Sequence, residues 1–326
     1  MFRARVSQHE RALKRAPVGP LHKTLVKPPT YKAYSTALQL FRLWLHFWLI
    51  PFPVDGDDLD HRVCEYGEAA WEEGENRATF ACLVSGIRFF EESLQPRLGA
   101  ARRLIAAWDK AEQAVKSFPL TTLMAEAMAA EAFELGWILE ASAILIGLAG
   151  MFRIMELLNI TAKDVSGSIR DEAVIVTLHE TKTSSKKQAP QHAFLRDPMA
   201  AMLALALKDG LQPGDRLFQA LSPKVFRDRL RRLAILLNLG HLLITPHSLR
   251  RGGATICFRS GGSLHKVATD GRWDSLKTGR SHVDCAVAEQ ATACSTEIAC
   301  SHQRLSCDVS STIPSHSSRI GELGER

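Results

Sequence analysis

Tyrosine is scarce in this 326-residue chain: there are three, Tyr31, Tyr34 and Tyr66, and none further on. Chemistry that needs a phenol in the second half of the chain must therefore find another group. Long hydrophobic runs are also missing. The most apolar stretch, Leu135 to Phe152, is 18 residues long and carries Glu140 and glycine. Crossing a bilayer takes about 20 predominantly apolar residues, so this stretch reads as a buried core helix and no membrane partner is expected. No secretory signal pattern follows Met1, and the seven cysteines are odd in number and mostly far apart. That fits a reduced, intracellular compartment better than a disulfide framework. Close CxxC pairs are absent; the spacing Cys294, Cys300, His302, Cys307 lacks the tight pairing that marks zinc sites, so no metal is expected.

What is present fits two globular domains. Hydrophobic residues make up 46% and charged residues 23%, which excludes wholesale disorder, and the length predicts about two domains. The net charge of +6 is unevenly placed. Residues 1–32 hold eight basic residues against Glu10 alone, so the excess lies in an N-terminal arm. Such an arm reads either as a solvated tail or as a polyanion-binding segment. Residues 55–75 are the opposite, with nine acids against Arg62, a face ill suited to phosphates.

Periodicity organises the chain into a basic flexible arm (1–29), a helical domain (30–118), a mixed domain (119–288) and a disordered Ser/Cys-rich tail (289–326). After Pro28-Pro29 the positions Tyr34, Leu38, Phe41, Leu45 and Leu49 recur at helical spacing, and Pro51 and Pro53 end the helix. Helices are predicted over Ala78–Leu94, Gly99–Lys116 and Ala125–Met151. The β-branched run Ala173–Leu178 predicts a strand, and Gln191–Leu195 a second strand paired across the turn 180–188. Ser222-Pro223 starts a further helix with Phe226, Leu230, Leu233 and Leu237 as its buried stripe. Arg227, Arg229, Arg231 and Arg232 lie off that stripe and read as a solvated or a phosphate-binding face. The fold class is thus mainly α with a small β-hairpin or sheet.

The segment Thr245-Pro-His-Ser-Leu-Arg-Arg-Gly-Gly-Ala-Thr255 carries chemistry. Pro246 suits a helix start, which puts His247 and Arg250 on one face. Together they offer a proton carrier and a bidentate oxygen binder to one phosphate. Gly252 and Gly253 predict close backbone approach. Alone, this HxxR also reads as a satisfied surface pair. Its company is Gly271-Arg272-Trp273 downstream, Arg153 followed by Glu156 upstream, and Lys182 in the hairpin turn. In that order and spacing the chain resembles the tyrosine recombinase (phage integrase) superfamily over residues 30–288.

The resemblance implies a SAM-like helical core-binding (DNA clamp) domain followed by an α+β integrase-like catalytic domain, acting on double-stranded DNA without a cofactor. Arg153 and Arg250 would hold the scissile phosphate, His247 would shuttle a proton, Lys182 would protonate the leaving 5′ oxygen, and Trp273 would donate its indole N–H. The family's nucleophilic tyrosine falls at His282. The resemblance therefore implies a catalytically impaired DNA-binding protein of a mobile element, able to assemble as a homo-oligomer on DNA. Two alternatives stand beside it: an active recombinase with a nucleophile from outside this reading frame, and a helical interaction protein that binds no nucleic acid. Residues 246–280, with seven Arg/Lys against two Asp, speak against the last.

Overall fold

The computed structural model describes residues 8–16, 25–91, 98–113, 115–168, 173–179 and 190–285. The chain divides into two compact units, Met1–Val115 and Lys116–Arg326. Residues 180–189, which include Lys182, and the tail beyond Cys285 with its Cys/His spacing lie outside the described residues.

The first unit is helical: α1 (Gln8–Arg15), α2 (Pro28–Phe47), α3 (Gly56–Glu72), α4 (Arg77–Phe90) and α5 (Gly99–Ala111). Its core gathers Leu38, Phe41 and Leu45 from α2, Leu59 and Val63 from α3, Phe80 and Ile87 from α4, and Trp108 from α5. The stripe predicted to reach Leu49 stops a turn earlier, because Leu49 turns to a left-handed φ of 58° and is 88% exposed. The acidic stretch is used for capping. Asp55 accepts the Asp57 and Asp58 N–H groups at the start of α3, and Asp60 accepts those of Ala100 and Ala101 at the start of α5. Carboxylates at helix N-termini satisfy orphan donors and suit the helix dipole.

The second unit combines α6 (Thr122–Glu134), α7 (Ile138–Ala149), α8 (Ile154–Leu158), α9 (Pro198–Lys208), α10 (Pro223–Leu236), α11 (Pro246–Arg259), α12 (Leu264–Asp270) and α13 (Leu276–His282) with three short strands. The strands β1 (Val165–Ser166), β2 (Val174–Leu178) and β3 (Gln191–Leu195) pair antiparallel in the order β1-β2-β3, with Val176 opposite Ala193. The helical stretch predicted over Ala125–Met151 is two helices, because Gly136 takes φ +73° between them and ends the first. At α10 the Ser222 hydroxyl accepts the Val225 N–H as foreseen, and Phe226, Leu230 and Leu233 are buried. Its arginine face is partly spoken for: Arg229 pairs with Glu140, and Arg229 and Arg232 both lie over the Trp137 ring.

Helix α11 is the central element, with every residue from Ser248 to Thr255 buried. The two glycines make that possible. A Cβ on Gly252 would lie 2.2 Å from the Leu120 carbonyl oxygen, and one on Gly253 would lie 2.3 Å from that of Leu148. Backbone atoms cannot yield as a flexible side chain does, so Gly252→Ala should destabilise the second unit by about 1–3 kcal/mol or more. Denaturant unfolding measures this; an unchanged midpoint would contradict the close approach.

Candidate functional site

Three segments of the second unit converge: the turn from α7 into α8, the N-terminal half of α11, and the turn Gly271–Trp273 that leads to α13. Each contributes an arginine, and the three face one carboxylate. Arg153 is the N-cap of α8 in an extended conformation. Its N–H donates to Glu156 Oε2 at 3.0 Å, and its Nη1 meets Oε1 at 2.5 Å. Arg272 Nη2 donates to Oε2 at 3.3 Å, and Arg250 Nη1 stands 3.8 Å from the same oxygen. Glu156 is 5% exposed. Burial alone would favour its protonated form, but Arg272 and then Arg153 hold its pKa below the ordinary carboxylate value.

Three guanidinium groups around one carboxylate leave an excess of positive charge in a low-dielectric setting, the condition for binding an anion. Arg250 shows the cost of that arrangement. It is 1% exposed, and donates through Nη1 to the Met151 carbonyl and through Nη2 to that of Gly271 at 2.6 Å. Its guanidinium lies 4.5 Å from the centre of the Trp273 ring. Burial, then the charges of Arg153 and Arg272, push its pKa down to about 9, so it remains a cation at neutral pH.

The histidines are the reverse case. His247 sits one turn before Arg250 on α11, and burial followed by the Arg250, Arg251 and Arg153 charges lowers its pKa. His282 ends α13, with its ring centre 5.2 Å from that of His247 and 4.5 Å from that of Trp273. Its Nδ1 lies 2.8 Å from the Thr278 carbonyl oxygen, which can only accept, so Nδ1 carries the hydrogen and Nε2 the lone pair. Burial outweighs that hydrogen bond, and with His247 and the arginines it lowers the His282 pKa to about 4. Both imidazoles are neutral at pH 7.

The structure thus brings Arg153, His247, Arg250, Trp273 and His282 into one cluster; Lys182 lies outside the described residues. Sequence reasoning passed over two further members. Arg251 is buried, donating to the Ser117 carbonyl at 2.6 Å and pairing with Asp284 at 2.9 Å. Arg272 is buried too, and donates to the Glu156 carboxylate at 3.3 Å. Their signal was present: both are arginines flanked by glycine or apolar residues in a segment that otherwise reads as core. Among the described residues, no group of three or more His, Cys, Asp or Glu could hold a metal ion, and no helix is long and apolar enough to cross a membrane.

The lowered histidine pKa values set a pH dependence. Between about 4 and the ordinary 6.5 the unfolded chain binds the His282 proton and the folded chain does not. Stability is therefore fully present above pH 6.5 and falls as pH drops through that window. Urea midpoints should decline from pH 7 to pH 5, and His282→Asn should flatten the decline. Equal slopes in the two proteins would contradict the neutral, buried imidazole.

No curated protein matches the chain by sequence. Among solved structures, the Tn1549 transposon integrase in complex with circular intermediate DNA is similar at a TM-score of 0.61 and 17% identity, over 85% of this chain and 96% of that one. The same integrase with transposon right end DNA gives 0.59 at 15%, over 88% and 98%. A lambda integrase dimer bound to a COC′ core site gives 0.56 at 16%, over 82% and 93%. At such identities these likenesses establish the fold. Membership rests on the sequence pattern of the phage integrase family, which matches residues 120–285, the stretch that carries every described member of the arginine cluster. The chain belongs to the phage integrase family, the tyrosine recombinases.

Proposed function

We propose that this chain binds double-stranded DNA inside the cell, holds a backbone phosphate in the arginine cluster, and lacks the covalent step of its family. The observation that carries the reading is the meeting of Arg153, Arg250 and Arg272, from three segments distant in sequence, around a buried carboxylate that they outnumber, with Trp273 over Arg250 and His247 one turn before it. A fold shared with integrases solved on DNA supports duplex as the ligand. The helical first unit serves as the clamp, several copies assemble on one DNA, and the compartment is the nucleus in a eukaryote or the cytoplasm and nucleoid in a bacterium.

In this reading Arg153 and Arg250 stabilise negative charge on the non-bridging oxygens. Two of the five Arg250 donors are committed to carbonyls, which fixes the plane of the fork and leaves the others for the phosphate. His247, neutral at pH 7, accepts a proton rather than supplying one. Lys182 supplies the leaving oxygen's proton, and Trp273 donates its indole N–H. His282 takes the nucleophile's place. Its Nε2 reaches less far from the backbone than a phenol oxygen, and a misplacement of about 1 Å costs on the order of a hundredfold in rate. Water can still attack slowly, but without a stored phosphoester bond there is no rejoining.

Two outcomes follow. Duplex affinity should fall steeply between about 50 and 200 mM salt as counterions are released. Binding that is absent, or flat with salt, would remove the nucleic-acid reading. On a nicked suicide duplex the chain should form no detergent-resistant adduct, whereas His282→Tyr should form one through the new phenol. An adduct from the unaltered chain, mapped to His282, would establish a histidine nucleophile and overturn the impaired reading.

A further inference from the structure

The Gly271–Trp273 turn contains an arginine that the phosphate chemistry does not use. Arg272 adopts φ 58°, the left-handed region that side-chain-bearing residues avoid. Gly271 before it is forced, since a Cβ there would lie 1.8 Å from the Trp273 ring. The strained turn sends two neighbouring side chains to different tasks. Trp273 goes over the Arg250 guanidinium, while Arg272 goes inward and is 7% exposed. There its Nη1 donates to the Gly150 carbonyl at 3.0 Å and to that of Asp270 at 3.1 Å. Its Nη2 donates to the Met151 carbonyl at 3.1 Å and to Glu156 Oε2 at 3.3 Å. Its guanidinium also lies 5.1 Å from the centre of the Phe152 ring.

Every protein group named at Arg272, apart from Asp270, belongs to the turn that presents Arg153 or to the acid that pairs with it. We infer that Arg272 is a positioning residue: it fixes the Gly150–Arg153 turn and neutralises Glu156, so that the charge of Arg153 stays available to an anion. Glu156 already pairs with Arg153 at 2.5 Å and stands 3.8 Å from Arg250; without Arg272 those two cations alone would balance it. The cluster would then hold two cations against one anion instead of three, a poorer match for a phosphate whose negative charge grows during attack. Met151, whose carbonyl is shared by Arg250 and Arg272, is itself left-handed at φ 47°, so the turn depends on these donors for its shape.

This inference rests on the arginine cluster being an anion site, and its test separates the two. The probe is inorganic phosphate, read as the rise in Tm over chloride at equal ionic strength, with duplex binding measured alongside. The unaltered chain should show the rise. Arg153→Ala and Arg272→Met should each abolish it, and the double variant should lose no more than either, because both remove one function. Arg272→Lys, which keeps the charge but not the fork, should restore part of the rise. Should Arg272→Met fail to fold, Arg272→Met combined with Glu156→Gln removes the buried charges together; it should fold and recover the phosphate effect, since the competing acid has gone. A full phosphate effect in Arg272→Met, or strictly additive losses with Arg153→Ala, would overturn the positioning role. A phosphate effect without duplex binding would sink the DNA reading and leave this inference standing; no phosphate effect in the unaltered chain would sink both.

Discussion

The Glu156 carboxylate lies where three guanidinium groups would otherwise repel one another, and the turns that carry those groups answer to it. It caps α8 through the Arg153 N–H, pairs with Arg153 and Arg272, and stands within reach of Arg250. Removing one partner of a buried ion pair typically costs about 3–5 kcal/mol, because the other charge is left uncompensated. The cluster therefore holds its turns in place from within. Arg250 and Arg272 extend the hold by donating to the carbonyls of Gly150, Met151 and Gly271, which ties the α7–α8 turn to a segment some 120 residues later.

Burial together with the same positive charge acts on the neighbouring groups. Burial, and then the charges of Arg250 and Arg251, keep His247 and His282 neutral, and His282 fixes its tautomer on the Thr278 carbonyl. Trp273 covers Arg250 with its ring, a contact that accepts a cation without neutralising it. A site with these properties binds an anion well and takes up a proton poorly. That suits holding a phosphate, and in the proposed reading the group at position 282 is the one placed to attack it. In that reading a phenol there would supply an attacking oxygen, whereas an imidazole would leave the binding half of the chemistry.

Much of this was legible in the residues. The period of three and four from Tyr34 to Leu45, the β-branched run before Leu178 and the Ser222-Pro223 start all led to the elements observed, because local propensity and burial agree there. The paired glycines on α11 announced the close approach to Leu120 and Leu148. Two features were hidden. The break at Gly136 within an unbroken apolar stretch depends on backbone conformation, which hydropathy does not report. The inward path of Arg272 depends on a left-handed turn that favours glycine and here carries arginine, so the residue read as a neighbour of Trp273 instead of a partner of Glu156.

The most direct measurement of the central claim is a structure of the chain on a nicked duplex, with orthovanadate bridging the nick. Vanadate oxygens should lie within hydrogen-bond distance of both Arg153 and Arg250, with the Trp273 indole N–H turned to the same centre, Arg272 still on Glu156, and no bond from His282 Nε2 to vanadium. Duplex running over another face of the second unit, with the arginine cluster empty, would contradict it.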